Sequence, residues 1–148
     1  MSLEEMGAFF DARVDGYEAH MRANVGGADE YYRVLARCLA SMRAPRVLDL
    51  GCGTGLELDE IYLRFPDARV TGVDLAEKML EKLAEKHKDR MPVLIAGDYL
   101  TADFGTGFDA CVSAQTMHHF EHGDKLRLYR RIWDALRPGG VYVEADYV

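Results

Sequence analysis

The sequence predicts an α/β protein: a doubly wound, mostly parallel sheet with helices on both faces, preceded by an N-terminal helical arm. Three observations carry this. Short apolar runs alternate with amphipathic stretches of helical period from Arg46 onward. The connections between them are only a few residues long, which calls for right-handed crossovers and parallel strands. Glycines and carboxylates follow the runs, at the strand ends where such sheets place their ligands. Five strands are expected, in the spatial order 3-2-1-4-5.

Residues 1–45 form the arm. Its first helix is expected over Leu3 to Met21, broken by Gly26-Gly27. Asp29 is a plausible N-cap for a second helix whose face carries Tyr32, Leu35, Ala36, Leu39 and Met42. Ala44-Pro45 separates the arm from the body, residues 46–148. There Arg46–Leu50 reads as a buried strand, Leu56–Arg64 as a helix, and Arg69–Val73 as the second strand. Ala76–Lys88 is a helix with an apolar stripe of Leu75, Met79, Leu80 and Leu83. Lys78/Glu81 and Lys82/Glu85 pair on its wet side. Val93–Ala96 and Phe108–Ala114 are the next strands. Asp124 opens a helix that turns Leu126, Tyr129, Ile132, Trp133 and Leu136 inward. Pro138-Gly139-Gly140 ends it, and Val141–Tyr147 is the fifth strand.

The chain has 148 residues, 49% of them hydrophobic, which is enough for one packed domain. Eighteen basic against 25 acidic residues give a net charge of −7, which disfavours a nucleic-acid binder and suits a small-molecule acceptor. The acidic N-terminus is unlike a basic targeting peptide, and no apolar run reaches the ~20 residues that span a bilayer. A cytoplasmic location is the expectation, with Cys38, Cys52 and Cys111 as buried thiols. His118-His119-Phe120-Glu121-His122 matches the H-x-x-E-H pattern of zinc proteases. Gly123 cuts the run, so no metal site is assigned.

The strand ends carry the chemistry. Asp49-Leu50-Gly51-Cys52-Gly53-Thr54-Gly55 follows the first strand. Alternate glycines let backbone approach a ligand, and the following helix N-terminus favours an anionic group such as a carboxylate. Asp74, at the tip of the second strand, suits two ribose hydroxyls or an N-cap. Asp98 suits an exocyclic amine or a local turn, and Tyr99 offers a flat face to a base. Gln115 through Phe120 follow the fourth strand. A dinucleotide would need a third glycine where Leu56 stands, and Asp49 would repel its pyrophosphate. The ammonium or sulfonium of S-adenosylmethionine is favoured there instead.

Asp49–Gly55, Val73-Asp74-Leu75, Gly97-Asp98 and Leu136-Arg137-Pro138-Gly139-Gly140 together resemble the class I, Rossmann-like S-adenosylmethionine-dependent methyltransferases. The resemblance implies a cofactor set of Asp49, Gly51, Cys52, Gly53, Gly55, Asp74, Leu75, Met79, Asp98, Tyr99 and Gln115. Tyr17 and His20 of the arm would close over it. His118 and His119 are the only candidates for a general base, which methyl transfer from a sulfonium does not require. The family's sheet usually has two further strands in an antiparallel hairpin, whereas the fifth strand here finishes close to Val148. Either the sequence is a piece of a longer protein or something else completes the sheet; if it is the whole chain, that edge is expected to support homo-oligomers. Two alternatives stand beside methyl transfer: a non-catalytic S-adenosylmethionine-binding module, and a nicotinamide-dependent oxidoreductase.

Overall fold

The computed structural model describes residues 3–19, 28–39 and 42–146. In chain order the elements are α1 (Leu3–Asp11), α2 (Ala28–Arg37), β1 (Arg46–Leu50), α3 (Leu56–Arg64), β2 (Arg69–Asp74) and α4 (Glu77–Lys86). β3 (Val93–Ala96), β4 (Phe108–Ala114), α5 (His122–Ala135) and β5 (Leu136–Ala145) complete the body. The five described strands form one sheet in the order β3-β2-β1-β4-β5, and every pairing is parallel. Topology and order agree with the sequence expectation.

Successive residues of β1 point to opposite faces, and a separate core forms on each. Val47 joins Leu35 and Leu39 of α2, Leu58 and Ile61 of α3, and Leu80 and Leu83 of α4. Leu48 and Leu50 join Phe108, Cys111 and the Leu128–Ile132–Ala135 stripe of α5 on the other face. Strands that are covered on both sides need no polar alternation, which is why RVLDL reads as a short apolar run.

Several boundaries differ from expectation. The first helix stops at Asp11, ten residues short, and a single 3-10 turn at Val14–Gly16 intervenes before the helical residues Tyr17–Ala19. The Asp11 carboxylate is drawn away to accept the Lys78 backbone N–H of α4 at 2.9 Å, and Gly16 is a poor helix former. Asp29 lies inside α2 rather than capping it, and Asp124 lies in the first turn of α5. Leu126 and Trp133 point outward, with 56% and 79% of their surfaces exposed, so the inward stripe of α5 is narrower than predicted. Cys38 is exposed, just beyond α2, while Cys52 and Cys111 are buried as expected.

Strand β5 begins at Leu136, not Val141. Leu136 pairs with Phe108, and the strand then advances to Val141 while β4 advances only to Ala110. The excess is a bulge over Arg137–Gly140. Pro138 has no N–H to give the ladder, and Gly139 takes φ 81°, so a proline-glycine pair is accommodated there instead of ending the helix. Arg137 Nε anchors the bulge to the Asp109 carboxylate. No helix among the described residues is long and apolar enough to cross a membrane.

Candidate active site

At the carboxyl ends of β1, β2 and β4, α1 and Tyr17 roof a cavity of about 40 Å³. Its floor is the turn after β1. Gly51 has φ 73°, and a Cβ there would meet Thr116 Oγ1 at 2.2 Å, so only glycine fits between the turn and the segment after β4. Gly51 N–H donates to Val73 O at 2.8 Å, which ties the turn to β2. Gly53, at φ 52°, presents bare backbone toward Tyr17, whose ring lies 3.8 Å from where its Cβ would stand.

Asp74 knits the floor together. Its Oδ2 accepts the Gly53 N–H at 2.8 Å and its Oδ1 accepts the Ala76 N–H at 2.9 Å. Burial raises its carboxyl above the ordinary range, against the pull of the N–H groups of Ala76, Gly53 and Leu75. Each oxygen retains a lone pair for a ligand hydroxyl. Asp74 therefore ties the start of α4 to the glycine turn and forms part of the cavity wall, while the N-cap position itself is Ala76.

Of the residues singled out in the sequence, Tyr17, Gly51, Gly53, Asp74, Leu75, Met79, Tyr99, Gln115 and His119 line the cavity. Asp49, Cys52 and Gly55 form the structure behind it. The Cys52 sulfur packs over Gly72, Gly55 packs against Leu83, and Asp49 is fully buried with neither carboxylate oxygen hydrogen-bonded among the described residues. Asp98 does not line the cavity. Its Oδ1 accepts the Leu100 N–H at 2.8 Å, the local turn that was its other reading. His20 lies outside the described residues.

The two histidines part company. His118 Nδ1 lies 2.6 Å from Asp146 Oδ1, and its backbone N–H donates to Asp146 Oδ2 at 2.9 Å. His119 rims the cavity edge-on to Phe10, ring centroids 5.8 Å apart. Burial first, then its neighbour His118, lowers the pKa of His119, which keeps its ring neutral at pH 7. Sequence reasoning missed Met6, Phe10 and Ala114 in the lining. The Met6–Phe10 spacing of four residues was the available signal, since it puts both on one face of α1.

A cavity this small holds a few waters, whereas sites for small organic ligands run to roughly 300–1,000 Å³. The arm must shift for such a ligand to enter. The lining matches a cationic nucleoside. Asp74 is at a strand tip, Leu75 and Met79 are apolar beside it, and the unpaired Asp49 carboxyl stands behind bare glycine backbone. A pyrophosphate would meet those carboxylates unfavourably.

This is the site of a methyltransferase fold, and the chain belongs to the methyltransferase domain family, whose sequence profile matches residues 47–140. The chain is 31% identical over 132 residues to a demethylmenaquinone methyltransferase of Roseiflexus sp. (strain RS-1), covering 88% of this chain and 55% of that one. It is 35% identical over 96 residues to a trans-aconitate 2-methyltransferase of Deinococcus radiodurans, covering 65% and 35%. Among solved structures it resembles S-adenosylmethionine-bound CalS10, an amino pentose methyltransferase from Micromonospora echinaspora. That likeness has a TM-score of 0.72 at 33% identity over 89% of this chain and 56% of that one. The chain thus spans about half the length of these relatives, or less.

Proposed function

We propose that the chain binds S-adenosylmethionine and serves methyl transfer to a small-molecule acceptor. The cofactor supplies a methyl group on a sulfonium, ready for in-line displacement. The chain's own residues bind, orient and exclude water. Asp74 receives the ribose hydroxyls, Leu75 and Met79 pack on the adenosyl half, and the bare backbone at Gly51 and Gly53 allows the methionine half to lie close. Asp98 stands at the adenine end with Tyr99, and Gln115 beside the methionine portion. Tyr17 and Phe10 close the roof. His119, neutral at the rim, is placed to take a proton from an acceptor that must lose one. The observation that carries this reading is Asp74. Its buried carboxyl is hydrogen-bonded to the glycine turn itself and walls the cavity.

Relatives that act on trans-aconitate, demethylmenaquinone and an amino pentose support a small-molecule acceptor, as does the net charge of −7. Free thiols at Cys38, Cys52 and Cys111 suit a reducing, cytoplasmic setting. Titration calorimetry should show one S-adenosylmethionine bound per chain. S-adenosylhomocysteine released with candidate acceptors then measures turnover. Binding without turnover on any acceptor would favour the non-catalytic module, and no binding would refute the reading.

We infer self-association as well. Strand β5 pairs with β4 on one side and with no described strand on the other. Val141 on that strand is 37% exposed. Light scattering should show the mean mass rising with concentration, and Val141→Lys should suppress the rise.

A further inference from the structure

Two buried carboxyls lie behind the glycine turn, one on each side of it in sequence. Asp49 is the penultimate residue of β1, and Glu57 sits in the first turn of α3; their residues are 0% and 4% exposed. Both Asp49 oxygens and Glu57 Oε1 are sealed from solvent and accept no hydrogen bond among the described residues. An acid in the first turn of a helix is ordinary when it is wet. A buried one facing a second buried carboxyl is not, because two negative charges at low dielectric repel strongly.

Among the described residues, acidic and hydroxyl groups dominate the surroundings of the pair. Asp74 faces the pair from β2, Tyr17 from the arm, Tyr32 from α2, and Cys52 from the turn. Asp59 adds a further negative charge on α3. Among the described residues, Lys86 of α4 is the cation whose field is felt at Glu57, and its Nζ is already held by Glu18 at 2.5 Å and Asp59 at 3.0 Å. Burial and mutual repulsion favour the protonated form of both carboxyls. Burial, then the neighbouring Glu57, keeps the Asp49 carboxyl well above its ordinary range. Burial pushes Glu57 up to about 7, against the pull of Asp49 and of its own backbone N–H.

We propose that Glu57 is a second carboxyl of the seat for the cofactor's α-ammonium group, and that the Asp49–Glu57 pair releases its shared proton to solvent when that cation enters. This rests on the S-adenosylmethionine reading above. The placement follows from connectivity. In the amino-acid end of that ligand the ammonium and the carboxylate share one carbon. The carboxylate suits the backbone N–H groups at the start of α3, which would put the ammonium within one residue's reach of them, beside Glu57. Asp74, Leu75 and Met79 take the adenosyl half on the other side of the turn. Tyr17 lines the cavity and also stands near the pair, its hydroxyl pKa being raised by burial and by Glu57, Asp74 and Asp49 in turn.

The test is calorimetry of the whole chain with S-adenosylmethionine and with its desamino analogue. Titrations at pH 6 and pH 8, in buffers of different ionisation heat, count the protons released. S-adenosylmethionine should bind about tenfold more tightly at pH 8 than at pH 6, with close to one proton released at the lower pH. The desamino analogue should bind at least about tenfold more weakly at pH 8, with little proton release. Glu57→Gln should flatten the pH dependence for S-adenosylmethionine.

A readout without ligand accompanies it. Glu57 ionises near its ordinary 4.5 when unfolded and near 7 when folded, so its charge destabilises the fold as pH rises between those values. Glu57→Gln should therefore melt higher than the parent at pH 8 and alike at pH 4. If S-adenosylmethionine binds with equal affinity at both pH values and releases no proton, or the desamino analogue binds as well as it does, the proposal is overturned while the cofactor reading survives. If S-adenosylmethionine does not bind at all, both fall.

Discussion

Asp74→Ala should raise the dissociation constant for S-adenosylmethionine by about 100-fold or more and also loosen the fold. The two effects share one cause. The carboxylate accepts the Gly53 and Ala76 N–H groups, at 2.8 and 2.9 Å, and its residue is only 8% exposed. Each hydrogen bond to a charged group contributes about 1.5–3 kcal/mol. Removing it leaves two donors facing a methyl group, partly offset by relief of a buried charge. A net loss of about 2–4 kcal/mol is expected by urea unfolding. The ligand loses two hydroxyl partners and a preformed turn, and 100-fold corresponds to about 2.7 kcal/mol. Asp74→Asn separates these contributions, since its single oxygen keeps one N–H and turns an NH₂ against the other. It should fall between Ala and the parent in stability while binding almost as poorly as Ala. Unchanged uptake in Asp74→Ala would remove the foundation of the assignment.

Gly51→Ala should be the most damaging single methyl group in the body. A Cβ at residue 51 would lie 2.2 Å from Thr116 Oγ1 and 2.8 Å from Thr116 Cβ, on a backbone at φ 73°. The left-handed conformation costs about 1–2 kcal/mol for a residue with a Cβ, and overpacking adds about 1–3 kcal/mol. A fall of about 2–5 kcal/mol by denaturant titration is expected, with S-adenosylmethionine binding lost. Adding Thr116→Ala removes the nearest atom and the contact at 3.1 Å, but neither the Cβ contact nor the φ cost. The double variant should recover part of the loss and no more, an interaction that a double-mutant cycle measures directly.

Both residues were visible in the sequence because their roles are local. Alternate glycines after an apolar run, and an acid after the next run, are set by the geometry of a strand-to-helix turn. α3 spans Leu56–Arg64 as read from its periodicity, and β3 and β4 also stand where the runs placed them. What was not legible depended on partners distant in the chain. Trp133 falls at a spacing that fits an inward stripe, yet 79% of its surface is exposed because the core needs only Leu128, Ile132 and Ala135 from that helix. Phe10 walls the cavity because α1 folds back across α4; its spacing from Met6 marks a shared helix face but not what that face meets. Asp98 could be read as a ligand-binding acid or a turn former, and its hydrogen bond to the Leu100 N–H shows the second at work. Glu57 passed unremarked because an acid in a first helical turn is common, and only its burial distinguishes it.

The clasp between α1 and α4 has a kinetic corollary. Asp11 holds the Lys78 N–H, Gly7 lies tight against the Leu75 carbonyl, and Phe10 closes the space above the turn. A guest far larger than the 40 Å³ beneath is admitted only while that clasp is undone. Observed uptake rates should therefore level off at high ligand concentration, at the frequency with which the helix lifts, however fast the two molecules meet in solution.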